Sequence, residues 1–289
     1  MRIAIRHELA LPVPQGAVRA QMHLLAHPRS FRGQRIERWS VDCADSATAA
    51  SFADAYGNIA RLVTLRRPES PVRIVLEGMV ETTDTHGVVG RIAEEPVPAL
   101  FRRITPLTRS PVTVYGKFRT APRDGRNRIG LLHQLMERIG EFHIFAPDGT
   151  LPAAPEEAGA TETPSTPMAQ TQTMGTMSQS QSLAEPVDRR TPATAREFAH
   201  AFIGAARALD IPARYVSGYL LEGDMPVHAW AEAHVDGLGW IGFDAAQMLC
   251  PTERHVRLAV GLDATSAALV RAAPVEGEPE TLSVSVTAA

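Results

Sequence analysis

Two residues in the C-terminal third of the chain are of types that move protons together: His228, in the run His228-Ala229-Trp230, and Asp244, at the end of Gly242-Phe243-Asp244. A carboxylate that holds one imidazole nitrogen fixes the ring's tautomer and leaves the other nitrogen to share a proton with a nucleophile. A thiol suits that arrangement, because a helix N-terminus or a neighbouring imidazolium lowers its pKa toward the reactive thiolate. Upstream, Thr194-Ala195-Arg196-Glu197 reads Thr-x-x-Glu, a capping box that opens a helix. Ala195 falls in its first turn, where a thiol would feel the helix dipole, but its methyl group can form no covalent intermediate. Phe198, Phe202, Ile203, Ala206 and Leu209 keep helical spacing and predict one buried face, and Asp210-Ile211-Pro212 ends the helix. Thr191-Pro192 offers an earlier start, since Pro suits a first helical position.

Three blocks in order extend this reading: Ile211-Pro212-Ala213-Arg214-Tyr215-Val216-Ser217-Gly218-Tyr219-Leu220, then His228-Ala229-Trp230-Ala231-Glu232-Ala233, then Gly237-Leu238-Gly239-Trp240-Ile241-Gly242-Phe243-Asp244. Their order resembles the core of the bacterial transglutaminase-like family, a papain-like thiol group. In that core a helix-borne Cys, a His in His-Ala-Trp and an Asp closing Gly-Phe-Asp form a triad. The resemblance implies an α+β fold in which a helix packs on an antiparallel sheet, with Ala195 at the position of the family Cys. It also implies His228 and Asp244 as the other two triad members and a cleft in which Trp230 and Tyr215 bind a peptide. Active relatives have Val-Cys-Gln-Asp where this chain has Thr194-Ala195-Arg196-Glu197. Three flanking positions differ along with the nucleophile, so the change reads as natural loss rather than a single laboratory substitution. Relatives continue Pro-Thr-Asn after the Asp; Ala245-Ala246-Gln247 here predicts a weaker supporting loop.

The chain has only two cysteines, Cys43 and Cys250, which argues against a disulfide framework and a cysteine-based zinc site. Cys250 is the alternative nucleophile, provided that it comes within hydrogen-bond reach of His228; otherwise it is a small buried hydrophobe. Cys43 belongs to the N-terminal strands. His228 and Asp244 also make sense as a purely structural hydrogen-bonded pair, Trp230 and Trp240 as core, and His200 and His234 as packing residues. No cluster has metal-ligand spacing and no Gly-rich phosphate loop is present, so neither a metal nor a cofactor is expected.

With 289 residues, 44% hydrophobic content and a formal net charge of -3, the chain is large enough for two cores and lacks a basic nucleic-acid footprint. No apolar run is long enough to span a membrane, and the N-terminus lacks a signal-peptide core, so a cytoplasmic location is expected.

Residues 2–9, 35–41 and 72–80 alternate apolar and polar side chains, and the turn Asp54-Ala55-Tyr56-Gly57-Asn58 precedes an apolar run over 59–65. Residues 1–94 are therefore expected to form a β-sandwich, similar to the N-terminal domain of bacterial transglutaminase-like proteins. Residues 95–150 are expected to connect it to the core and to include a helix over 129–144. Residues 151–187 turn to Ala, Thr, Ser, Gln, Pro and Met, too poor in large apolar groups to offset chain entropy, and are expected to be disordered. Residues 188–289 form the expected core, with 251–263 and 281–286 as its closing strands. The functional expectation is a silent binder of a peptide or protein. An active cysteine amidase or acyltransferase using Cys250, and a scaffold in a peptide-modifying assembly, stand as alternatives.

Overall fold

Alternating apolar and polar residues in the first third of the chain produce strands with one buried face. In the computed structural model, which describes residues 1–45, 49–121, 125–146, 191–223 and 225–289, these are β1 (Arg2–Leu11), β2 (Arg19–His27), β3 (Gln34–Cys43), β4 (Ala50–Ala53), β5 (Ile59–Arg66) and β6 (Val72–Thr82). Two four-stranded antiparallel sheets result, in the orders β15-β1-β6-β3 and β14-β2-β5-β4, where β14 is Val270–Ala273 and β15 is Glu280–Ala288. They pack face to face through Leu9, Leu11, Met22, Leu24, Val63, Leu65, Ile74 and Leu76. The expected sandwich is there, with one correction. Residues 281–286 lie in β15 and pair with β1, so they close the sandwich rather than the core. Alternation identifies a strand but carries no record of its partner.

The core sheet has the order β13-β10-β11-β12-β7, from β7 (Val88–Gly90), β10 (Ala213–Leu220), β11 (Val227–Val235), β12 (Gly239–Phe243) and β13 (His255–Gly261). Residues 255–261 thus close the core as expected. β7 comes from the segment assigned to the sandwich but pairs with β12. Between the two units lie the short helix α1 (Val112–Tyr115), the longer α2 (Gly125–Gly140), and β8 (His143–Phe145), which pairs in parallel with β9 (Thr191–Ala193). α2 begins and ends four residues earlier than the spacing predicts. The expectation for 151–187 lies outside the described residues.

α3 (Ala195–Ala208) starts where the capping box predicts. The Thr194 hydroxyl accepts from the Glu197 N–H, and the Glu197 carboxylate accepts from the Thr194 N–H. Phe198, Phe202, Ile203, Ala206 and Leu209 are all buried against the core sheet and α2. Each large side chain among them contributes about 1.5–3 kcal/mol by leaving water. Arg207, on the same helix, is a buried peg that donates to the carbonyls of Phe101, Ala213 and Leu262 and to the Thr108 hydroxyl.

The sandwich and the core touch through polar keys. Asp54 accepts from the N–H groups of Tyr56 and Asn58, and the Asn58 amide exchanges two hydrogen bonds with the Val260 backbone. His7 is 3% exposed, with Nδ1 3.0 Å from the Tyr219 hydroxyl and Nε2 3.1 Å from the Thr281 hydroxyl. Burial lowers its pKa to about 4, and burial does the same to His200. Because these folded-state values lie below the unfolded one, the neutral rings contribute full stability above about pH 6.5. That stability is lost as pH falls toward 4, each ring losing about 2 kcal/mol by pH 5. Burial beside Arg61 likewise lowers His27 to about 4, so urea unfolding should show a clear stability drop from about pH 7.5 to about pH 5, of which His7→Phe should remove roughly a third.

Candidate functional site

The register of β10 on β11 sets the two faces of the core sheet. Tyr215 opposes Ala231 and Ser217 opposes Ala229, whereas Val216 opposes Trp230 and Gly218 opposes His228. Side chains alternate along a strand. Ala229, Ala231 and Ala233 therefore meet α3, and His228, Trp230 and Glu232 occupy the opposite face. The small side chains let the helix approach; the large and polar ones build the site.

At the start of β11, His228 Nε2 lies 2.6 Å from Asp244 Oδ2. The same oxygen lies 3.1 Å from His255 Nε2. All three residues are buried. His255 Nδ1 accepts the Thr252 N–H, so its Nε2 carries the hydrogen and donates to Asp244. Asp244 Oδ1 accepts the Gln247 N–H. Burial opposes ionisation of this carboxyl, but the hydrogen bonds from His228 and His255 outweigh it and hold its pKa at about 2. An ionised Asp244 cannot donate, so His228 also donates from Nε2, and its Nδ1 is the nitrogen left for proton exchange.

The loop after Asp244 is firmer than the Ala245-Ala246-Gln247 run suggests. Asp244 and Leu249 exchange two backbone hydrogen bonds around a turn in which Met248 takes φ 56°. Backbone geometry supplies the support that these side-chain types do not.

The Trp230 ring lies nearly parallel to His228, 6.3 Å between centroids, and edge-on to His255 at 5.3 Å. Gly218 makes the room. A Cβ there would sit 2.2 Å from the Val256 carbonyl oxygen and 2.7 Å from the Trp230 ring. Gly218→Ala should cost roughly 1–3 kcal/mol by overpacking and shift Trp230; denaturant unfolding and tryptophan fluorescence read both effects.

Next to Trp230, a buried charge cluster backs the site. Glu232 is flanked by Arg214 at 2.6 Å and Arg257 at 3.1 Å, and Glu95 pairs with the same two arginines at 2.9 and 3.1 Å. Burial opposes ionisation of Glu232, yet Arg214 and Arg257 prevail and keep it below the usual carboxylate range. The Arg214 guanidinium also lies 3.9 Å from the centroid of Trp240.

Two cavities bear on the site. A small one, ≈ 40 Å³, is lined by Trp230, Glu232, His255 and Arg257 together with Gly87 and Thr252. A large one, ≈ 1260 Å³, lies at the start of α3 and is lined by Ala193, Glu197 and His200, residues flanking Ala195, together with Leu107, Arg109 and Phe142. His228, Asp244 and Tyr215 line neither; Tyr215 sits in the helix-facing core, its ring tilted over His200 at 5.1 Å. His200 Nε2 accepts the Ala264 N–H, and His234 lies edge-on to Trp240. Ala195, half-buried, opens α3.

Cys250 packs against the helix-side core and close to Gly87, where a Cβ would come within 2.7 Å of its own. Burial pushes its thiol up, away from the thiolate, and among the described residues it makes no hydrogen bond to His228.

His228, Asp244 and His255 offer ligand atoms within 4.8 Å of one another, close enough to ask whether a metal fits. A metal-bound imidazole gives its lone pair at one nitrogen and donates a hydrogen from the other. His255 does the reverse, accepting at Nδ1 and presenting N–H at Nε2. The trio fits a carboxylate gripped by two donors, not a metal.

Sequence reasoning missed His255 and the charge cluster. His255 follows Pro251-Thr252-Glu253-Arg254 with no spacing that ties it to Asp244. Arg214 and Glu232 left a signal: single charges inside otherwise apolar strands have to find each other.

The family model described as the transglutaminase-like superfamily matches residues 168–245, and that of the bacterial transglutaminase-like N-terminal region matches residues 3–81. The first span contains Ala195, His228 and Asp244 and ends before Cys250 and His255. Among solved structures, a candidate cysteine protease from Cytophaga hutchinsonii is 18% identical, with a TM-score of 0.59, covering 99% of this chain and 89% of that one. The periplasmic domain of TgpA from Pseudomonas aeruginosa is 14% identical, with a TM-score of 0.37, covering 85% of this chain and 87% of that one. No curated protein matches the chain. Among the described residues, no helix is long and apolar enough to cross a membrane.

Proposed function

We propose, from the premise that this chain belongs to the bacterial transglutaminase-like family, that it is a silent member which binds a peptide or protein segment without turning it over. The observation that carries this reading is Ala195, a methyl group at the first position of a capped helix, while His228 and Asp244 keep a 2.6 Å hydrogen bond. The large cavity beside the first turn of α3 supports a binding role. It combines apolar walls from Leu107, Pro111, Val114 and Phe142 with polar groups from Arg109, Ser110 and Thr113, a mixture that suits a peptide.

A relocated nucleophile is the competing reading, and the half-buried Cys250, its thiol pushed up by burial and without a hydrogen bond to His228, argues against it. Intact-mass analysis after exposure to a peptide-like thiol electrophile separates the two. The unmodified protein should remain unlabelled within the cleft. Labelling that vanishes in Cys250→Ala would replace the binder with an active thiol enzyme. Partner binding that survives loss of both His228 and Asp244, and occlusion of the large cavity by Ala201→Trp, would favour a scaffold.

A further inference from the structure

The sandwich has four edge strands, and three are guarded against pairing with another chain. β4 and β14 have four residues each, and β3 carries Arg35, Glu37, Arg38 and Asp42 with a register break between Ile36 and Arg38. β15 differs. Residues 281–289 include no charged side chain, no Pro and no Gly, and its register on β1 is regular from Ser283 to Ala288, the one irregularity falling at Leu282.

The backbone of β15 is half used. Ala289 donates its N–H to the Arg2 carbonyl, which makes that a hydrogen-bonded pair. Antiparallel pairs alternate, so Ser283, Ser285 and Thr287 bond to β1 while Val284, Val286 and Ala288 direct their N–H and C=O groups away from the sheet. Among the described residues, nothing pairs with that outer edge. On one face Val284 and Val286 pack against the core between the two units; on the other Ser283, Ser285 and Thr287 are exposed.

We infer that β15 is the contact through which a second copy of this chain joins, pairing antiparallel with itself about Ser285. The sequence is self-complementary in that register. Val284 meets Val286 of the second copy, Ser283 meets Thr287, and Leu282, 51% exposed, meets Ala288. Apolar side chains face apolar ones and hydroxyls face hydroxyls, both favourable cross-strand pairs, with no like charges at the twofold axis. The pairs that must exchange hydrogen bonds are Val284 with Val286, the residues whose backbone groups point outward. The contact is isologous, so it closes at two copies and extends the sheet to eight strands.

Light scattering on the intact protein at tens of micromolar should give twice the 31.2 kDa chain mass, and Ser285→Lys, which sets two ammonium groups against each other, should restore the single-chain mass. Register is read by cysteine scanning. Ser285→Cys places two Cα atoms about 4.5 Å apart across the axis, within disulfide range, and should cross-link on mild oxidation; Ser283→Cys, facing Thr287, and the unmodified protein should not. A monomer at every concentration, a dimer indifferent to Ser285→Lys, or cross-linking by Ser283→Cys in place of Ser285→Cys would each overturn the inference.

Discussion

Ala195→Cys should turn an inert position into the fastest-reacting thiol of the chain. At pH 6 a cysteine with an ordinary pKa near 8.5 is only ~0.3% thiolate. At the first turn of α3 the helix dipole lowers its pKa, and the proton sharing with His228 that the family resemblance implies would bring it to about 6, leaving it roughly half ionised. Intrinsic nucleophilicity falls with pKa, which gives back about tenfold of the gain. The net expectation is labelling by a peptide-like electrophile about tenfold faster than an ordinary thiol at pH 6, with a rate that levels off near neutrality. Cys250 moves the other way, since burial raises its pKa. Adding Asp244→Asn tests the mechanism, because it preserves volume but removes the negative charge and leaves one acceptor oxygen where His228, His255 and the Gln247 N–H now donate to two; most of the advantage should disappear. If the introduced thiol instead titrated in the ordinary range in both backgrounds, the His228–Asp244 pair would be a structural remnant and the cleft reading would lose its support.

The parts of the fold legible in the sequence are those set by local rules. The capping box places the start of α3, and apolar spacing names the side chains it buries. Alternation finds β1, β3 and β6, and the turn over 54–58 marks the start of β5. What escapes depends on partners distant in the chain. Nothing near Thr281 shows that it will lie beside Leu9, and nothing near Val88 shows that it will pair with Ile241. The site divides the same way. His228 and Asp244 stand in recognisable runs, whereas His255 becomes a partner of Asp244 only because β13 lies on the far side of β10 from β11. The separation of Tyr215 from Trp230 is a matter of strand parity, readable only once the β10–β11 register fixes which face meets α3.

Glu232→Ala should be the most damaging single change in the core sheet. Glu232 and Arg214 are both 0% exposed and Arg257 is 6% exposed. Removing one carboxylate leaves two guanidinium groups to share Glu95, which lies at the edge of the cluster. Breaking a buried ion pair from one side costs about 3–5 kcal/mol, and for a chain of this size that lowers the melting temperature by roughly 10 °C. The cause is an uncompensated buried charge rather than a lost attraction, so the cost should shrink when the partner goes too. Arg214→Met combined with Glu232→Leu should be less destabilising than the sum of the two single changes by about 2 kcal/mol or more, a coupling that a double-mutant cycle measures. Additive effects would mean that water reaches the cluster and screens it. The acid limb carries the same signature. Because the folded-state pKa of Glu232 is depressed, its contribution is present above the ordinary carboxylate range and is lost as pH falls through that lower value. Glu232→Gln should therefore flatten the stability profile at the acid end while leaving its decline below about pH 6.5, set by His7, His27 and His200, in place.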